Sequence, residues 1–156
     1  MRRIEFFYPA LPKRSLSPNA RVRHLHNSDA VLELRSGATD HLLSYEGVRA
    51  LTEPFAKARI SVTWHLTNRK PKIEQCPRCL VWAIEHPRSN ETTCLCYRPR
   101  DPGNAAAVLK AFFDGVTDAG VWKDDTWQFM ELGLIARKLV ESLDDEGLYV
   151  EIEELE

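Results

Sequence analysis

The stretch that most constrains this chain runs from Tyr97 to Trp127 and reads YRPRDPGNAAAVLKAFFDGVTDAGVWKDDTW. Pro102 fixes its own φ and disfavours helical backbone at the residue before it, so Asp101 is expected at a strand end with a helix behind it. Asn104 is a favoured N-cap residue, and Ala105, Ala106 and Ala107 follow it with the highest helix propensity. Val108, Leu109, Phe112, Phe113 and Val116 recur at three- and four-residue steps, which makes one apolar stripe for a core. Lys110 and Asp114 are four apart and share a helix face. Gly115 and Gly120 are expected to loosen the helix end, and Val121-Trp122 then leads into the adjacent acids Asp124 and Asp125. Two neighbouring carboxylates cannot both be buried without a cation, so this pair is either solvated or part of a cation site. Taken singly, Asp114 reads as a helix-face partner of Lys110 and Asn104 as a cap. Taken together, Asp101, Asn104, Lys110, Asp114, Asp124 and Asp125, with Arg98 and Arg100 just ahead, are the residue types a metal-and-phosphate site uses.

The run D-P-G-N-x5-K-x3-D-G-x4-G-V-x2-D-D, Asp101 to Asp125, resembles the central motif of the RusA family of Holliday-junction resolvases, small metal-dependent endonucleases common in phages and prophages. Asp101, Asn104, Lys110, Asp114, Asp124 and Asp125 match the family's positions one by one. Gly103 departs from it, because the better-known D-x-D-N form carries a second aspartate there. The resemblance implies phosphodiester hydrolysis, with Asp101, Asp114, Asp124 and Asp125 holding Mg²⁺ or Mn²⁺ and Asp101, Lys110 and Asp125 as the catalytic set. It implies a four-way DNA junction as substrate and a homodimer that makes two symmetric cuts. The S-P-N-A-R loop, Ser17 to Arg21, is similar to the loop that approaches DNA in that family, which makes Asn19 and Arg21 candidate DNA contacts beside Arg98, Arg100 and Asn104. Two rival readings remain: a noncatalytic branched-DNA-binding module disabled at position 103, and a nuclease of the same family acting on other branched DNA.

Around this unit the chain punctuates itself. Arg3 to Tyr8 is aromatic-rich and ends at Pro9, a first strand. His24 and His26 are read as surface residues pointing to one side of an extended segment, Val31 to Leu34 is ambiguous, and Ser44 is a candidate cap for a helix through Tyr45, Val48, Leu51 and Phe55, interrupted at Pro54. Arg59 to Leu66 alternates and is β-branched, hence a strand. Trp127 to Leu132 is expected as another strand, Ala136 to Leu143 as helical or irregular, and Leu148 to Glu153 as a last strand with Leu148, Val150 and Ile152 inward. Strands before and after a central helix without strict βαβ alternation favour an α+β fold. The length suits a single domain over 1–156, and the resemblance adds a mixed β-sheet packed against helices.

Between about Asn68 and Thr93 lies a segment that separates the strand from the acidic motif, and four cysteines border it: Cys76-x2-Cys79 and Cys94-x-Cys96. If the intervening chain folds back as a hairpin, the two pairs meet. In a reducing compartment that spacing favours a tetrahedral structural Zn²⁺ over two disulfides, with free or redox-active thiols as the alternative. The expected product is a zinc-pinned flap over 68–96, with Trp82 and His86 near its tip, delivering Arg98 and Arg100 beside Asp101.

The formal net charge is -2, yet its distribution is uneven. Arg2, Arg3, Lys13, Arg14, Arg21, Arg23 and Arg35 crowd the first part, and Arg69, Lys70, Lys72, Arg78, Arg88, Arg98 and Arg100 precede the acidic motif. From Glu141 onward the charges are all acidic. The basic groups are expected either as phosphate contacts or as a solvated surface. No apolar run reaches membrane-spanning length and Met1-Arg2-Arg3-Ile4-Glu5 is not followed by a signal-peptide core, so the expectation is a cytoplasmic protein of a bacterial or phage-infected cell.

Overall fold

The computed structural model describes residues 1–16, 24–68, 70–99 and 101–156, and of 24–28 the backbone alone. Its main elements are β1 (Arg3–Tyr8), α1 (His24–Ser44), α2 (Glu46–Arg49), β2 (Ala58–Leu66), α3 (Pro77–Glu85), α4 (Pro102–Val108), α5 (Lys110–Asp118), β3 (Met130–Leu139) and β4 (Gly147–Glu154). The strands form a four-stranded mixed sheet in the order β1-β4-β2-β3, with β4 antiparallel to both β1 and β2 and with β3 parallel to β2. The α+β reading therefore holds.

Alternation in β1, β2 and β4 puts their apolar residues on one face. Ile4 lies opposite Ile152, Phe6 opposite Val150 and Tyr8 opposite Leu148, and across β4 the partners are Ile60, Val62 and Trp64. All nine are buried. Each such side chain contributes about 1.5–3 kcal/mol by leaving water, which is what ties the sheet to its helical layer. Phe112 of α5 and His41 of α1 supply aromatic contacts to this face, the Phe112 ring 5.4 Å from Tyr8 and 6.4 Å from Phe6 and the His41 ring 5.5 and 5.8 Å from the same two. The opposite face is polar, as antiparallel sheets with one solvated side allow.

That polar face resolves the uneven charge of the sequence. Arg2 pairs with Glu154, Arg3 with Glu5 and Glu151, and Arg59 with Glu153. Elsewhere Lys13 pairs with Glu33, Arg14 with Glu91 and Arg35 with Asp118. The amino-terminal cations read as candidate phosphate contacts are thus largely neutralised by acids, several from the acidic tail, because β1 and β4 are sheet neighbours. Arg21, Arg23 and Arg69 lie outside the described residues.

Several expectations are corrected. His24 and His26 stand in α1, not in an extended segment. Ser44 ends that helix, its hydroxyl donating to the His41 carbonyl, and α2 is capped by Tyr45 without a side-chain bond. The strand expected over Trp127 to Leu132 begins at Met130 and continues through Leu139, where helix or irregular chain was expected. The helix behind Asp101 is two helices, meeting at Leu109. Gly115 does not loosen α5. A Cβ there would meet the Arg35 carbonyl oxygen at 2.5 Å and Ala38 Cβ at 2.8 Å, so the missing side chain lets α1 and α5 approach closely.

Candidate functional site

Two clusters carry chemistry. The first is the set of four cysteines, all buried, whose sulfurs lie within 4.8 Å of one another. Cys76 is the N-cap residue of α3, with Pro77 in its first turn, where a missing N–H costs nothing. Cys79 sits one turn further along. Cys94 and Cys96 return on an extended segment held by backbone bonds on both sides: Cys94 N donates to Pro71 O at 3.0 Å, Tyr97 N to Pro12 O at 2.6 Å and Arg14 N to Leu95 O at 2.7 Å. The intervening chain is helix α3 followed by extended chain, not a hairpin. Its cysteines belong to the hydrophobic core, so the segment is docked rather than a projecting flap.

The sulfur separations test whether zinc fits. Cys79–Cys94 is 3.4 Å, and Cys76–Cys96 and Cys79–Cys96 are each 3.9 Å. Sulfurs placed about 2.3 Å from a tetrahedral centre have edges of about 3.8 Å, so these spacings match a tetrathiolate ion and lie well beyond a disulfide bond. Leu95 N donates to Cys79 Sγ at 3.3 Å, the kind of contact that stabilises a thiolate. Sulfur–sulfur hydrogen bonds push Cys76 down, chiefly from Cys79. Cys94 is raised by Cys76 but lowered more by Cys79 and Cys96, to about 6. The same contacts push Cys79 and Cys96 up. Four thiolates this close repel, and a divalent cation is what allows all four to ionise.

The segment is fastened to the sheet through one residue that the sequence disguises. Glu146 lies in the acidic run before β4, yet it is only 1% exposed. Arg98 donates to its carboxylate from Nη1 at 2.5 Å and from Nη2 at 2.8 Å, while Thr67 donates from N and Oγ1 at 2.8 and 2.7 Å. Arg78 Nη2 donates to the Glu146 carbonyl at 2.8 Å. The helix carrying the first cysteine pair and the segment carrying the second therefore meet at Glu146. This corrects the reading of Arg98 as a DNA contact: its guanidinium is committed to Glu146, with Nη2 also 4.0 Å from Cys94 Sγ. Arg100, Asn19 and Arg21 lie outside the described residues.

The second cluster is the acid–lysine group. Lys110 Nζ bonds both Asp114 and Asp125, and Asp124 Oδ1 accepts from Asp125 N at 2.8 Å. The hydrogen bond from Lys110 holds the Asp125 carboxyl below its usual range, and Asp114 and Asp125 together raise Lys110. A left-handed turn brings the acids back: Gly120 has φ +78°, Gly120 N donates to Thr117 O and Val121 N to Val116 O. That closure of α5 needs glycine and directs the chain into Val121 and Trp122. Both are buried, and the Trp122 indole N–H donates to Thr117 Oγ1 at 2.7 Å. Asp101 is the N-cap of α4, accepting from Asn104 N at 2.9 Å and Asn104 Nδ2 at 2.8 Å. Asn104 is thus the partner of the cap rather than the cap. Asp101 makes its side-chain bonds with Asn104 and not with the Lys110 group. Among the described residues the cysteines, and not the carboxylates, form a group of three or more ligands within metal-binding reach.

No protein-family model matches the chain, nor does any curated protein. Among the described residues no helix is long and apolar enough to cross a membrane.

Proposed function

We propose that this chain is a divalent-metal-dependent endonuclease of branched DNA, working as a homodimer on four-way junctions, with a structural zinc in its four-cysteine centre. The observation that supports the nuclease reading is the convergence of Asp114 and Asp125 on the Lys110 ammonium, from a helix and from the turn after it, with Asp124 beside them accepting from the Asp125 backbone N–H. Acids gathered at one point of a fold repel unless a cation serves them, and carboxylate oxygens are the donors Mg²⁺ takes. In this structure Asp101, Asp114, Asp124 and Asp125 do not lie within common ligand reach; drawn together they would hold the ion, which would supply electrostatic stabilisation and an activated nucleophile. Lys110, held in this structure by Asp114 and Asp125, would be the donor to a phosphate oxygen as charge builds there. Asn104 keeps the Asp101 carboxylate oriented by its two hydrogen bonds.

A labelled synthetic four-way junction with Mg²⁺ tests this, beside an EDTA control. Paired nicks are expected, lost on the order of a hundred-fold or more in Asp125→Asn and Asp101→Asn, with junction affinity retained in both. Unchanged nicking removes the substituted residue from the site. Because Lys110 already neutralises two of the acids, a noncatalytic DNA-binding module is the second reading. Junction binding without nicks in either Mg²⁺ or Mn²⁺ establishes it, and preferential cutting of forks or flaps over junctions assigns a different branched substrate.

Gly103 offers a gain-of-function test. A Cβ there would meet only Asp101 Oδ1, at 3.4 Å, an ordinary contact. Gly103→Asp is therefore expected to fold as well as the parent and to lower the Mg²⁺ concentration needed for half-maximal nicking, read from a metal titration. A raised requirement shows that the backbone does not aim position 103 at the ion.

A further inference from the structure

The turn that carries Asp124 and Asp125 ends in a tryptophan that the fold leaves almost wholly in water. Trp127 is 89% exposed, whereas Trp64 and Trp122 are 0% and 1% exposed. Trp82 is half-buried and stacked on His86, with ring centroids 4.4 Å apart. A large aromatic left out of the core adds little to folding, and an exposed indole is free to lay its apolar face on a ligand. The residue is not on loose chain. Thr126 O accepts from both Phe129 N and Met130 N at 2.9 Å, and Trp122 is buried on the other side of the acid pair. Trp127 therefore projects from a turn fixed at both ends, two residues from Asp125, which limits their separation to about 7 Å of chain. Lys123 is exposed just before the acids, its ammonium 5.8 Å from the centre of the Phe129 ring, and among the described residues no carboxylate pairs with it.

We infer that Trp127 is a base-stacking residue, which takes an unpaired nucleobase of the DNA strand whose phosphate enters the Lys110–Asp125 site. The inference rests on the nucleic-acid reading of that site. An indole offers every base a π-face regardless of sequence, and an adjacent ammonium suits the backbone that carries the base. A branch point is where unpaired or unstacked bases are available, so such a residue would favour branched over linear duplex DNA.

Intrinsic fluorescence gives a direct test, because Trp127 is the fully exposed indole of the described residues. With Ca²⁺ replacing Mg²⁺ to suppress cleavage, oligothymidylate and a four-way junction are titrated in turn. The expected results are quenching of the red-shifted emission in the parent, no such quenching in Trp127→Phe, and anisotropy-measured affinity weakened about ten-fold or more in Trp127→Ala but within about three-fold in Trp127→Phe. The thermal midpoints of both variants should equal the parent's, since the side chain buries little. Equal affinity of parent and Trp127→Ala, without quenching, overturns stacking and leaves the acid–lysine reading standing. Conversion of a dimer to monomers by Trp127→Ala overturns it as well, assigning the indole to a subunit contact. Failure of the parent to bind either DNA overturns both readings.

Discussion

Stripping zinc from this protein is expected to lower its thermal midpoint by roughly 10–20 °C and to loosen the chain from Lys72 to Tyr97. Protein purified under reducing conditions should carry one zinc per chain by elemental analysis. Tetrathiolate zinc in small isolated domains supplies about 10–16 kcal/mol. Here α3 and the returning segment are also held by core packing and by Glu146, so part of that is retained without metal. A net loss of about 5 kcal/mol in a chain of this size corresponds to the stated shift. Cys76→Ser should reproduce most of the effect of chelation and abolish the zinc signal, and chelation should then do nothing further to the variant. Metal-free protein from reducing purification, with a midpoint indifferent to added zinc, sinks the assignment and leaves four buried thiols. Because four thiolates leave no open position on a zinc ion, nicking by chelator-treated protein resupplied with Mg²⁺ alone separates a structural from a catalytic metal.

The parts of this fold that were legible in the sequence are those whose pattern is local. β1, β2 and β4 alternate cleanly because one face is core and the other solvated, and the cysteine pairs announced themselves by spacing. β3, an edge strand like β1, differs from it in having no clean alternation. Its register against β2 shifts between Ile60 and Val62, which breaks the alternation, and Leu132, Leu134 and Leu139 stay exposed. α1 was missed since its buried row is Ala30, Leu34, Ala38 and Leu42, a four-residue step in which small alanines hide the stripe. Of the acid–lysine group, the Lys110–Asp114 pair followed from helical spacing, but the return of Asp125 to the same ammonium depends on the Gly120 turn and on Trp122 being buried. Whether a charge is free cannot be read locally at all. By sequence Arg98 reads as a phosphate contact and Glu146 as one more acid of the carboxy-terminal run, and each is explained only by the other.

That pair yields the second large effect. Arg98→Met leaves the Glu146 carboxylate buried with Thr67 as its remaining side-chain donor, and Glu146→Leu leaves the guanidinium without a counter-charge. Removing one partner of a buried ion pair costs about 3–5 kcal/mol, whereas replacing both by apolar groups of similar volume is often near neutral. Each single variant should therefore lose roughly 6–20 °C of thermal midpoint, and the double variant should recover a large part of the loss. Burial pushes the Glu146 carboxyl up, but Arg98 and Thr67 outweigh it and hold it below its ordinary value. A carboxyl depressed on folding contributes stability that is fully present above its unfolded pKa, about 4.3, and is lost as pH falls toward the folded value. The parent should thus lose stability below about pH 4.3 more steeply than the double variant does. Two single variants with parental midpoints would show that neither charge needs the other, and that the cysteine segment is fastened to the sheet by packing alone. If instead the single variants also release zinc more readily, the Glu146 clamp and the metal centre act as one unit. The reason would be that Arg78 and Arg98 bring the helix and the returning segment that carry the two cysteine pairs to the same residue.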